Sequence, residues 1–79
     1  MSNLELYNKA FFETLDVSPD ELNGLEYQAV SSWDSVGHMS LIAALEDSFS
    51  IMMDTDDIID FSSYSKGKQI LKKYAVEIN

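Results

Sequence analysis

The stretch Trp33-Asp34-Ser35-Val36-Gly37-His38-Met39-Ser40-Leu41-Ile42-Ala43-Ala44-Leu45-Glu46-Asp47-Ser48-Phe49 decides how this chain folds. Its apolar residues Val36, Met39, Leu41, Ile42, Leu45 and Phe49 recur mostly at three- and four-residue intervals, the spacing that gathers side chains on one side of an α-helix. A helix is therefore expected from about Ser35 to Phe49, with one face in the core and Ser35 at its entrance. A hydroxyl held there is open to covalent modification. Glu46 and Asp47, at the far end, are expected to face water.

Working back toward the N-terminus, Leu25 to Ser32 contains Tyr27 and Val30 but no sustained period, and reads as a loop anchored by its apolar residues. Ser18-Pro19-Asp20-Glu21 has the elements of a capping box with proline at the first helical position, opening a short turn that ends near Gly24. Leu4, Tyr7, Phe11 and Leu15, with Ala10 and Phe12 on an adjoining stripe, predict a first helix over about residues 3 to 16.

Working forward, Ser50 to Met53 is a connection. Asp54-Thr55-Asp56-Asp57 precedes Ile58, Ile59 and Phe61, and acids at that point complement the positive end of a short helix of about two turns. Ser62 or Ser63 then caps a last helix from about Tyr64 to Val76, with Tyr64, Ile70, Leu71, Tyr74 and Ala75 inward and Lys66, Lys68, Lys72 and Lys73 largely outward. No segment shows strand alternation. The expected class is all-α: three principal helices plus a short one, in a single domain over residues 1–79.

Composition narrows the function. Seventy-nine residues lie near the lower limit for independent folding and are too few to enclose a deep catalytic cleft as well as a core. The 14 acidic and 5 basic side chains give a formal charge of -9, which repels nucleic acid and anionic membrane surfaces, so partners are expected to be basic. There is no cysteine, which removes disulfides, thiolate metal sites and a cysteine nucleophile. Met1-Ser2-Asn3-Leu4-Glu5 lacks a charged leader and an apolar core, and no run approaches the length of a membrane span, so a cytoplasmic protein without membrane insertion is the expectation. Asp54-Thr55-Asp56 fails as an EF-hand, because the sixth and twelfth loop positions are Ile59 and Ser65 rather than glycine and glutamate. No metal site is expected.

Asp34-Ser35-Val36, followed by Met39-Ser40-Leu41-Ile42-Ala43-Ala44-Leu45-Glu46-Asp47-Ser48-Phe49, resembles the modification site and second helix of acyl carrier proteins. That family writes Asp-Ser-Leu, a Val-Glu-Leu-like triplet, Ala-Leu-Glu and a phenylalanine at these offsets. The resemblance continues through Asp56-Asp57-Ile58 and Phe61-Ser62-Ser63-Tyr64 and covers roughly residues 4 to 74. It implies an acyl-carrier-like four-helix bundle, monomeric and without catalytic residues. Ser35 would carry 4'-phosphopantetheine, taken from coenzyme A by a separate phosphopantetheinyl transferase. Acyl or aminoacyl groups would ride on the arm as thioesters and be presented to loading synthetases, synthases and acyltransferases with basic docking patches. A phosphodiester at a helix start is independently favourable, since it lies near unpaired N–H groups and the positive end of the dipole.

The resemblance also assigns supporting roles. Asp34 would help orient the transferase's metal or a basic partner. Glu46, Asp47, Asp56 and Asp57 match acidic positions that contact Arg and Lys patches, and Val36 and Met39 add an apolar contact. Such exposed charges govern encounter rate and salt sensitivity more than affinity. Gly37, Ser40 and Met52 stand where carriers of primary fatty-acid synthesis usually have acids, and Val36 where they have leucine, which suggests a dedicated pathway: polyketide, nonribosomal peptide, lipid or surface polysaccharide. His38 is expected at the surface beside the arm, because a short exposed helix supplies neither orienting acid nor oxyanion hole for a serine hydrolase. Met52 and Met53 are expected to fill the core, and with Phe49, Ile58, Phe61, Leu45 and Ile70 they could line a cavity for an acyl chain. A D-alanyl or peptidyl carrier shares the same plan, and an acidic helical adaptor without a prosthetic group is the reading from a different class.

Overall fold

The periodic segments form helices, and their ends are set by local hydrogen bonds. The structure is a computed structural model and describes residues 2–78. In chain order the elements are α1 (Asn3–Leu15), α2 (Pro19–Leu22), α3 (Ser35–Phe49), α4 (Thr55–Asp60) and α5 (Tyr64–Lys72). No strand is present among the described residues; the nearest approach is a single antiparallel bridge between Glu26 and Ser63. No helix among them is long and apolar enough to cross a membrane.

α1 opens on a complete capping box. Ser2 Oγ accepts from Glu5 N, and the Glu5 carboxylate accepts from Ser2 N, so two of the helix's unpartnered donors are satisfied at once. It stops at Asp16, whose left-handed conformation (φ 54°) sends its N–H back to Phe12 O. Tyr7, Ala10, Phe11 and Leu15 are buried as the spacing requires, with Leu4 and Phe12 half-buried at the edges. α1 packs most extensively on α3, through Leu41, Ile42 and Leu45.

An aromatic cluster holds these helices to the rest. The Phe11 ring meets Tyr7, Trp33 and Tyr64 edge-on at centroid distances of 5.1, 5.6 and 5.2 Å, arrangements that add to the gain from burial. The Tyr7 hydroxyl lies in this apolar interior and donates to Tyr64 O at 2.6 Å, so α1 is tied to the start of α5. Burial, with the neighbouring Tyr64 phenol, raises the Tyr7 phenol well above its ordinary range. α5 approaches this cluster through Gly67: a β-carbon there would lie 2.2 Å from the Tyr7 hydroxyl and 2.3 Å from the Phe61 ring.

The connection from Asn23 to Asp34 is anchored differently from expectation. Its deepest side chains are Leu25 and Trp33, whereas Val30 is half-buried and Tyr27 lies at the surface. Two backbone bonds, Tyr27 N to Ser62 O and Tyr64 N to Leu25 O, fasten it to the α4–α5 junction. Main-chain pairing therefore fixes a segment that lacks a repeating apolar pattern.

α5 is shorter than predicted. After Lys72 the chain closes a Schellman turn, with Val76 N donating to Leu71 O and Ala75 N to Lys72 O, and Ala75 takes a left-handed conformation at φ 62°. Ala75 is consequently exposed rather than inward, while Val76 and Ile78 turn back onto the core. The Asn3 amide donates to Glu77 O at 3.0 Å and pins this return to α1.

Candidate functional site

Ser35 is the first residue of α3, and its side chain is exposed. The cap belongs to the residue before it: Asp34 has extended backbone angles, and its Oδ1 accepts from Gly37 N at 2.8 Å. An N-cap carboxylate satisfies an orphan helix donor and complements the dipole. The Ser35 hydroxyl is thereby relieved of capping and stands at the positive end of a 15-residue helix.

The first turn of α3 rests directly on the preceding loop. A β-carbon on Gly37 would fall 1.9 Å from the carbonyl oxygen of Ser32, and Ser32 Oγ donates to Leu15 O at 2.6 Å. No side chain fits at position 37. Its lack of an acid thus follows from packing and says nothing about a dedicated pathway.

His38 is half-buried, not on the surface. It lies three, four and seven residues before Leu41, Ile42 and Leu45, the buried face of α3. The Trp33 indole N–H donates to His38 Nδ1 at 3.0 Å. An indole nitrogen can only donate, so Nδ1 accepts and the imidazole proton sits on Nε2, which donates to Ile58 O at 2.8 Å. The ring thus joins the loop, α3 and α4, and lies nearly parallel to the indole, 16° between planes and 6.2 Å between centroids. That spacing from the buried residues was the signal in the sequence; the polarity of the side chain concealed it.

The acidic positions divide into two sets. Asp34, Asp47 and Asp56 are exposed. Glu46 is half-buried, and its Oε2 accepts from Met53 N at 2.8 Å, so it holds the α3–α4 connection instead of facing water. Asp57, expected on the partner face, is turned inward and only 4% exposed: Lys73 Nζ pairs with its Oδ1, and the Tyr74 hydroxyl donates to its Oδ2. Tyr74 Oη also accepts from Asp54 N. These contacts, first from Lys73 and then from Tyr74, hold the Asp57 carboxyl below its usual range, and the same contact raises Lys73. Asp57 is an internal clasp between α4 and the end of α5.

Val36 and Met39 lie off the buried stripe, 75% and 54% exposed. With Ile59 at 71% and Met52 at 85% they are prominent apolar side chains of the surface. Met52 therefore does not fill the core, although Met53 does. Of the side chains expected to line an internal cavity, Leu45, Met53, Phe61 and Ile70 are buried core, with Phe49 and Ile58 packed against it. An open cleft of about 230 Å³ lies elsewhere, lined by Tyr27, His38, Ile59, Phe61 and Ser62.

Among the described residues no group of three or more His, Asp or Glu side chains is arranged to hold a metal ion. No protein-family model, curated protein or solved structure matches this chain.

Proposed function

We propose that the chain is a carrier on which Ser35 bears 4'-phosphopantetheine and holds an acyl or aminoacyl group for partner enzymes. The observation that carries the reading is the exposed Ser35 hydroxyl at the start of α3, with the cap already supplied by Asp34. A serine engaged as the cap would be a structural residue; this one is available. The Asp34-Ser35-Val36 motif and the helix that follows it supply the resemblance, and the all-α bundle is the fold that the resemblance implies.

Attachment forms a bond from Ser35 Oγ to the phosphorus of the pantetheine phosphate. The phosphoanhydride of coenzyme A breaks, adenosine 3',5'-bisphosphate leaves, and the hydroxyl proton passes to a base of the transferase. The residues fit such a group: the phosphodiester's charge would lie beside the free N–H groups of the first turn. When bound, the arm supplies the thiol that a cysteine-free chain lacks. The chain's own part is presentation. Val36 and Met39 offer an apolar contact, and Asp34, Asp47 and Asp56 offer charge to a basic partner.

Incubation with coenzyme A, magnesium and a permissive phosphopantetheinyl transferase tests this reading. Intact mass spectrometry is expected to show one added phosphopantetheine on the wild type and none on Ser35→Ala. An unmodified wild type would overturn the proposal and favour an acidic helical adaptor.

A further inference from the structure

We infer that His38 is a proton-operated latch on the loop from Gln28 to Trp33, closed while the imidazole is neutral and opened when Nδ1 gains a proton. The latch is a property of the fold and does not depend on the carrier reading.

The indole fixes the chemistry. Trp33 is fully buried, and its Nε1–H donates to His38 Nδ1 at 3.0 Å. An indole nitrogen cannot reverse roles, so a second ring proton on Nδ1 would set one N–H against another. The bond at Nε2 survives that change, because the Ile58 carbonyl accepts from the ring in either charge state. Protonation thus removes one of the two ties and strands a buried donor, which costs more than the loss of an exposed hydrogen bond.

The surroundings do not compensate. The ring planes of His38 and Trp33 differ by 16° and their centroids lie 6.2 Å apart, so with a 3.0 Å contact between nitrogens the two rings meet edge to edge. The indole therefore offers its N–H, and not its face, to a cation. Tyr27 from the loop and Phe61 from the α4–α5 junction approach the imidazole as inclined rings, at 5.5 and 6.1 Å. Among the acids nearest in the chain and on α4, Asp34 engages Gly37 N, Asp57 is turned to Lys73 and Tyr74, and Glu26, Asp54, Asp56 and Asp60 are exposed. No carboxylate pairs with the imidazole among the described residues. His38 is half-buried and lines the open cleft with Tyr27, Ile59, Phe61 and Ser62, so water reaches it.

The loop is poised to respond. Trp33 O accepts from Gln28 N at 3.0 Å, and Trp33 N donates to Val30 O at 3.1 Å. Gln28 is held at φ 68°, a left-handed conformation that is costly for a residue with a β-carbon. Trp33 anchors this strained turn through its backbone, and His38 anchors the Trp33 side chain.

An imidazole changes charge between about pH 5 and pH 8, a window in which the Asp57 carboxyl, held below 3.8, stays ionised. Proton–nitrogen correlation spectra follow the His38 ring and the Trp33 indole N–H across it. At neutral pH one ring proton is expected, on Nε2, with the indole N–H downfield as a hydrogen-bonded donor. As the ring takes its second proton, the indole resonance is expected to move upfield on the same curve. Amide exchange at Gln28 and Trp33, referenced to α1, is expected to quicken about tenfold. His38→Asn keeps an acceptor near the place of Nδ1 and cannot take a proton, so its indole signal is expected to hold still from pH 5 to pH 8. A ring that gains its proton while the indole resonance stays put would overturn the inference, as would a neutral ring protonated on Nδ1 or a ring still neutral at pH 5. An indole titration that persists in His38→Asn would overturn it too; should that variant fail to fold, the wild-type ring and indole curves decide by themselves.

Discussion

At positions 34 and 35 the hydrogen bonding separates a structural polar residue from an available one. Asp34→Ala removes the acceptor for Gly37 N and is expected to cost about 1 kcal/mol of stability. Ser35→Ala removes an exposed hydroxyl that caps nothing and is expected to change stability by less than about 0.5 kcal/mol. Urea denaturation of both variants checks the pair; a loss at Ser35 as large as that at Asp34 would mean that the serine is architectural. Ser35 was legible in the sequence because a loop-to-helix boundary and an apolar repeat together give its place. The roles of His38 and Asp57 were not. A histidine on the spacing of Leu41, Ile42 and Leu45 looks like an interruption until Trp33 and the Ile58 carbonyl are there to satisfy it. An acid at the start of α4 is ordinarily solvated, and Asp57 finds its partners 16 and 17 residues away in a return that no local pattern announces.

Elements were legible where an apolar pattern met a cap. α3 runs from Ser35 to Phe49 as expected: Leu41, Ile42 and Leu45 give its buried face, Asp34 caps its start and a left-handed Ser50 ends it. α5 was read too long because Tyr74 and Ala75 continue the apolar spacing of Ile70 and Leu71, yet Ala75 is the left-handed residue of a Schellman turn. A β-carbon is costly in that conformation, and glycine is the usual occupant. Ala75→Gly is therefore expected to stabilise the protein by about 1 kcal/mol, seen as a raised thermal midpoint with unchanged helical circular dichroism. The loop before α3 was the least legible element, because backbone pairs at Leu25, Tyr27, Ser62 and Tyr64 fix its course and side-chain type does not encode them.

Across the whole molecule, the Asp57 clasp makes stability depend on pH at both extremes. The Asp57 carboxyl is held below its ordinary value of 3.8, so its contribution is complete above that value and is lost as pH falls through its lower folded value. Lys73 is raised above 10.5, so its contribution is complete below that value and is lost as pH rises through its higher folded one. Thermal midpoints measured from about pH 2 to pH 5 are expected to climb with pH, and Asp57→Asn is expected to flatten that climb. Asp54 N, Tyr74 and Lys73 meet at this clasp, so its release would free α4 from the end of α5. The sole tryptophan, Trp33, lies two residues before Ser35 with its indole sealed from water and hydrogen-bonded to His38. It is a fluorophore built into the entrance of α3. Its emission should be blue-shifted in the folded protein, and any ligand that disturbs the imidazole should alter its intensity, giving an optical readout of binding without an added dye.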